Sequence, residues 1–150
     1  YMDLLEKMKK DLITAMKEKD KDKLTVLRMV KGAMQLEAIN NKKEENEELL
    51  IDVVSRQIKM RKESILEFEK GNRTDLVEAT QSEINILKEY LPKQLSEEEI
   101  DKIIDDAFNK INPTSNKEMG LIMREVTPLL KGKADMKLVS DKIKERVNKL

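Results

Sequence analysis

Apolar residues recur at every third or fourth position along almost the whole chain, and this spacing limits the fold to packed helices. Leu24, Leu27, Val30, Met34 and Ala38 form one such stripe, and Ile100, Ile103, Ile104, Ala107 and Ile111 form another. Residues three, four and seven apart share a helix face, whereas a half-buried strand alternates. Only four Gly and three Pro interrupt 150 residues, and aromatic side chains make up 3%, so the core is aliphatic. Strands favour aromatic and β-branched residues and frequent turns. The expected fold class is therefore all-α.

Caps and breakers divide the pattern into seven helices. Asp3 caps the first, with Glu6 three residues on, and Leu5, Met8, Leu12, Ala15 and Met16 form its apolar stripe. A charged turn, Lys19 to Asp22, leads to the second, where Gly32 either marks a close approach or faces solvent. The third carries Leu50, Val53, Val54, Ile58, Ile65 and Phe68 and ends on Gly71, read as the residue after the cap. Thr74 or Asp75 starts the fourth (Leu76, Thr80, Ile84, Leu87, Leu91), which Pro92 stops. Ser96 and Glu99 make a capping box for the fifth, with Phe108 at the margin of its stripe, and Ser115 with Glu118 makes another for the sixth. Met119, Ile122, Met123, Val126 and Leu130 are the sixth stripe; Asp135 caps the seventh, which presents Val139, Ile143, Val147 and Leu150. The expected organisation is an N-terminal four-helix domain, residues 1–92, followed by a small three-helix domain, residues 93–150, near the lower size limit for a self-sufficient core.

Several chemistries lack their residues. There is no Cys and no His, so no disulfide, thiolate nucleophile or imidazole base is available. Four scattered glycines build neither a P-loop nor a dinucleotide fingerprint. The acidic runs around residues 44–48 and 97–106 match no calcium-loop spacing and read as solvated helix starts, so neither metal nor cofactor is expected. No apolar run reaches the roughly 18 residues that span a bilayer, and the chain is charged within its first helix, unlike a secretory signal. No membrane association and a cytoplasmic location are the expectations.

Thirty basic residues balance thirty acidic ones, so nucleic-acid binding must come from a local patch. Such a patch is suggested late in the chain. Residues 93–116 carry three basic and six acidic residues, whereas 117–150 carry nine basic and five acidic. A helix, a Pro and Gly stop, Lys131, Lys133 and a new helix capped by Asp135 together aim cations and a helix N-terminus at solvent, which suits phosphate. With no aromatic residue interleaved, backbone contact is favoured over base stacking. A second basic set, Arg56, Lys59, Lys62 and Arg73, reads as a solvated face neutralised within its own helix by Glu63 and Glu67.

The segment Met119-Gly120, Pro128, Lys131-Gly132-Lys133-Ala134-Asp135, Lys137-Leu138-Val139, with Tyr90-Leu91-Pro92-Lys93-Gln94-Leu95-Ser96 before it, resembles the GatB/YqeY family. Leu24 to Lys31 and Phe68-Glu69-Lys70-Gly71 with Arg73-Thr74-Asp75-Leu76 extend the resemblance over nearly the whole chain, closest to the free-standing YqeY-like proteins. After Asp135 the family often has Gly where this chain has Met136. The resemblance implies an N-terminal helical domain and a small three-helix domain related to the tail of the B subunit of tRNA-dependent amidotransferases, which are carbon-nitrogen ligases with glutamine as amido donor. In those enzymes the tail contacts tRNA and the catalysis lies elsewhere. Carried over, the contact falls on Lys131, Lys133, Asp135 and Lys137, with Lys117 and Arg124 beside them.

The leading expectation is an adaptor for tRNA or another structured RNA, with no catalytic residues and no stand-alone activity. The alternative is a protein–protein interaction module whose basic patch is incidental. An amidotransferase acting alone ranks last.

Overall fold

The computed structural model describes residues 3–150, and these form an all-α fold. Its helices are α1 (Leu4–Glu18), α2 (Lys21–Asn40), α3 (Glu47–Lys70), α4 (Thr74–Lys88), α5 (Glu97–Ile111), α6 (Met119–Leu130) and α7 (Met136–Val147), with a 3₁₀ turn at Asn116–Glu118. The chain divides into two compact units, Tyr1–Pro92 and Lys93–Leu150.

In the first unit, Asp3 Oδ1 accepts from the Glu6 N–H at 2.8 Å, and the Leu4 N–H donates to the Glu47 carboxylate of α3 at 2.7 Å. Two donors that a helix start leaves orphaned are thus satisfied. Lys19, in the left-handed region at φ 59°, turns the chain, and Asp20 caps α2. The α3–α4 turn differs from expectation: Gly71 has an ordinary φ of −87°, and Asn72, at φ 55°, makes the left-handed step. Asn tolerates that conformation better than most side chains, so the glycine was not needed there. Met8, Leu27, Val30, Met34, Leu50, Val54, Ile84 and Leu87 are buried at the centre, while Met16 is 52% exposed and leaves its predicted stripe.

Tyr90 and Arg61 bring hydrogen-bonding groups into this core. Tyr90 is completely buried, its hydroxyl donates to Asp11 Oδ2 at 2.6 Å, and Lys7 Nζ lies 4.4 Å from its ring centroid. Arg61 of α3 bonds Glu83 of α4, the Gln57 side chain and backbone carbonyl, and Met29 Sδ of α2, tying three helices together. Burial of a charge is tolerated only with such partners.

In the second unit the Ser96 box is complete: the Glu99 N–H donates to Ser96 Oγ at 3.1 Å and the Ser96 N–H to the Glu99 carboxylate at 3.2 Å. Lys142 pairs with Glu97 and Asp101, and Arg146 pairs with Asp105 while lying 4.1 Å from the Phe108 ring centroid. Ascending positions on α5 therefore meet ascending positions on α7. These two helices run parallel, and α6 runs back between them over Ile104, Ile122, Val126, Leu130, Val139 and Ile143.

Three local expectations change. Phe108 is buried, because α7 covers it with Arg146. Ser115 opens the 3₁₀ turn and not α6 directly, and Glu118 reaches back to Thr114. Leu150 lies beyond the end of α7 and is 58% exposed. Helix α6 also continues two residues past Pro128, since a proline in the last turn removes one bond without halting the helix.

Candidate nucleic-acid interface

The α6–α7 junction is held from outside by the segment that opens the second unit. The Leu95 N–H donates to the Lys133 carbonyl at 2.9 Å, and Gln94 Nε2 donates to the Gly132 carbonyl at 2.8 Å. The Lys133 N–H closes back on the Leu130 carbonyl at 2.9 Å, and Gly132 takes φ 78°, a conformation that costs glycine nothing. Two motifs distant in sequence thus form one hydrogen-bonded corner. Its backbone is fixed and buried at Gly132, while the side chains of Lys131, Lys133 and Lys137 are exposed.

The start of α7 is less open to an anion than expected. Asp135 Oδ1 accepts from the Lys137 N–H at 2.9 Å, so the chain's own carboxylate caps this helix and occupies the favourable end of its dipole. Met136 packs partly against the core. Asp135 is a structural cap, and the cations around it are the groups that face solvent.

A clearer cationic surface lies along α6. Arg124 is exposed on α6 with Gly120, Leu121 and Pro128, opposite the buried Ile122, Val126 and Leu130, while Lys117 in the preceding 3₁₀ turn and Lys131 at the C-cap are exposed seven residues to either side. The nearby acids are engaged: Glu125 pairs with Lys110 at 2.8 Å, and Glu118 accepts from the Thr114 N–H and hydroxyl. Among the described residues, no carboxylate lies within the 4.0 Å ion-pair distance of Lys117, Arg124, Lys133 or Lys137. This face was legible in the heptad spacing of 117, 124 and 131, although the sequence motif points first to the loop lysines.

The remaining basic residues of the segment behave differently. Lys142 and Arg146 are turned onto α5, and Lys149 pairs with Glu145. Lys144 is exposed on the α7 face that also carries Lys137, with the exposed Asp141 between them, so that face is mixed in sign. In the first unit, Arg56 pairs with Glu37 of α2 and Arg73 with Asp75, not with Glu63 or Glu67. Close packing of α2 on α3 brings Glu37 nearer than any acid one turn along α3.

The titration shifts are those of pairs and caps. The Tyr90 hydroxyl is pushed far up, by burial first and by its bond to Asp11 second. For Asp11, burial pushes upward, but the Tyr90 hydrogen bond and the Lys7 charge outweigh it and hold the carboxyl below its usual value. Arg56 and Lys43 lower Glu37, the Ser96 N–H lowers Glu99, and Glu97 with Asp101 raises Lys142. Each of these moves away from neutrality, opposite to what a general acid or base needs. Among the described residues, no cluster of three or more acids is arranged to hold a metal ion, and no helix is long and apolar enough to cross a membrane.

Residues 5–147 match the family described as Yqey-like protein. The chain belongs to that family. Similar curated proteins are named "Altered inheritance of mitochondria protein 41, mitochondrial". The one from Lachancea thermotolerans is 38% identical over 77% of this chain and 63% of its own length. The one from Pyrenophora tritici-repentis is 32% identical over 96% of this chain and 81% of its own. For Kluyveromyces lactis the figures are 41%, 67% and 56%. The chain therefore spans between about half and four-fifths of the length of these Yqey-like relatives.

These names correct the expected cytoplasmic location, because the relatives are mitochondrial proteins. Missing cysteines and a charged first helix report on the solvent a chain meets, and the aqueous interior of an organelle offers the same solvent.

Proposed function

We propose that this Yqey-like protein is an adaptor that binds structured RNA, tRNA foremost, through the outer face of α6 and the adjoining α6–α7 corner. The observation carrying this reading is the set of exposed cations Lys117 and Arg124 beside α6 with Lys133 and Lys137 around the turn, while Glu118 and Glu125 are tied to Thr114 and Lys110. A row of point charges without aromatic residues suits phosphates along a folded RNA more than splayed bases. The resemblance to the tail of tRNA-dependent amidotransferases supports tRNA as the first ligand to try. In that setting the chain would hold RNA beside glutamine-dependent amidation carried out by other subunits.

The test is a tRNA titration at about 50 and about 200 mM salt, comparing wild type with Lys117→Glu/Arg124→Glu. Each phosphate left without its cation lowers the slope of log affinity against log salt by roughly 0.7 to 0.9, so the double variant should reduce it by about 1.5. An unchanged slope and affinity would refute the reading.

A second reading, a protein-interaction module, is favoured by a groove of about 270 Å³ between α2 and α3. Leu36 and Met60 flank it at 61% and 60% exposure. Capture of a protein partner that survives nuclease and is abolished in Leu36→Glu would favour this reading.

A further inference from the structure

The first unit carries a second cationic helix face that the α6 reading does not use. On α2, Lys21, Arg28, Lys31 and Gln35 are exposed on the side away from the buried Val26, Leu27, Val30 and Met34. Lys42 is exposed just beyond the helix. Of the two acids in α2, Asp22 is exposed in the first turn beside Lys21, and Glu37 is drawn inward: its side chain is 15% exposed and bonded to both Arg56 and Lys43. Among the described residues, Arg28 and Lys31 have no carboxylate within ion-pair distance.

Gly32 sits inside this face. A glycine in mid-helix is unfavourable and needs a reason. Packing does not supply one, because a Cβ built at Gly32 meets nothing within 4 Å. The α6 face has the same feature: Gly120 lies between Lys117 and Arg124, and a Cβ there also meets nothing within 4 Å. Each face thus combines exposed cations with one bare stretch of helix backbone that a bulky, charged chain can approach.

We propose that the outer face of α2 is a second binding site for the phosphate backbone of RNA. It rests on the RNA-binding reading proposed above and adds a site on the first unit. Of the three large apolar side chains exposed on α2, Met29 is bonded to Arg61 of α3 and Leu36 lines the groove against α3, which leaves Ile39 beside these cations, so a polyanion fits better than a bilayer interface.

The experiment uses the full chain and a tRNA transcript, titrated across about 50 to 200 mM salt. Four proteins are compared: wild type, Arg28→Glu/Lys31→Glu, Lys117→Glu/Arg124→Glu, and Lys9→Glu/Lys10→Glu, which makes the same charge change on exposed positions of α1. The α2 variant should weaken binding several-fold and lower the salt slope by about 1.5, with thermal melting unchanged, while the α1 variant should bind nearly as wild type. An α2 variant with wild-type affinity and slope overturns this proposal alone. An α1 variant weakened as much also overturns it, because the effect is then net charge. Weakening only in the α6 variant keeps the earlier reading and rejects this one. A wild-type chain that binds no tRNA at low salt rejects both. Vesicles rich in anionic lipid form a parallel arm; sedimentation with them abolished by the α2 variant, without any change in RNA binding, assigns the face to membranes and overturns the proposal.

Discussion

Replacing Tyr90 by Phe removes one oxygen from the core and should lower the stability of the four-helix unit by about 1.5 kcal/mol. The bond removed is a neutral hydroxyl donating to a carboxylate at 2.6 Å, a class worth about 1.5 to 3 kcal/mol. The lower end applies because the Asp11 side chain is 25% exposed and keeps both water and Lys7 as partners. Phe leaves no buried polar atom behind and preserves the ring under Lys7. In a unit of this size the change corresponds to a fall in Tm of roughly 6 to 12 °C. The pH dependence separates this mechanism from a packing defect. The folded Tyr90 hydroxyl titrates above its unfolded value of 10.0, so its contribution is intact below about pH 10 and is lost as pH rises, by up to about 1.4 kcal/mol per unit. Asp11 titrates below its unfolded value of 3.8, so its contribution is present above about pH 4 and is lost as pH falls through the folded value. Tyr90→Phe should abolish the alkaline loss and make the acid loss shallower. Urea titrations followed by far-UV circular dichroism between about pH 3 and 11 provide the assay. Equal stability of variant and wild type at pH 7, or an alkaline loss of the same size in both, would refute the reasoning.

Other perturbations follow from single interactions. Gly32→Ala should raise the stability of the four-helix unit by about 1 kcal/mol, read as a higher urea midpoint, because the new methyl meets open space. Ser96→Ala breaks the capping box and should destabilise the three-helix unit by about 1 kcal/mol, read as a lower urea midpoint. Ile143→Ala empties a fully buried position at a cost of about 2 to 5 kcal/mol, against the roughly 3 to 5 kcal/mol that so small a core supplies. Amide exchange should then show α5 to α7 open and α1 to α4 protected; loss of protection in both would mean that the two units do not fold separately.

The helices were legible because their signals are local. Asp3, Ser96 and Asp135 each cap the helix they were expected to cap, and the apolar stripes of α2, α5 and α6 face the cores. Contacts between helices were not legible in the same way. Nothing in the sequence joins Tyr90 to Asp11 or Arg61 to Glu83, since both bonds depend on which helices lie side by side. The same holds for the charge census. Counting residues 117–150 gave a positive segment, but only the packing of α7 on α5 reveals that Lys142 and Arg146 belong to an internal seam. The cations left facing solvent are those on helix faces that no partner helix covers.

Zero net charge and two cationic faces coexist because the two signs are used differently. Many carboxylates have short side chains placed at helix starts or between helices: Asp20 and Asp135 cap, and Glu37, Glu83, Asp101, Asp105 and Glu125 bridge to neighbouring helices. Lys and Arg have long stems that carry their charge outward over an apolar base. Where neighbouring acids such as Glu37 and Glu125 are anchored, the outward cations act as a local field on a molecule whose distant field cancels. Such a field is felt within about a Debye length, near 8 Å at physiological salt, so it selects ligands already in contact and attracts little from afar. Loosening an anchor should therefore weaken the face it keeps clear. Lys110→Ala, which frees Glu125 beside Arg124, should reduce tRNA affinity although Lys110 is off the α6 face, whereas Glu125→Gln should leave it unchanged or raise it. The opposite order in a filter-binding assay would mean that these faces do not depend on where the acids are held.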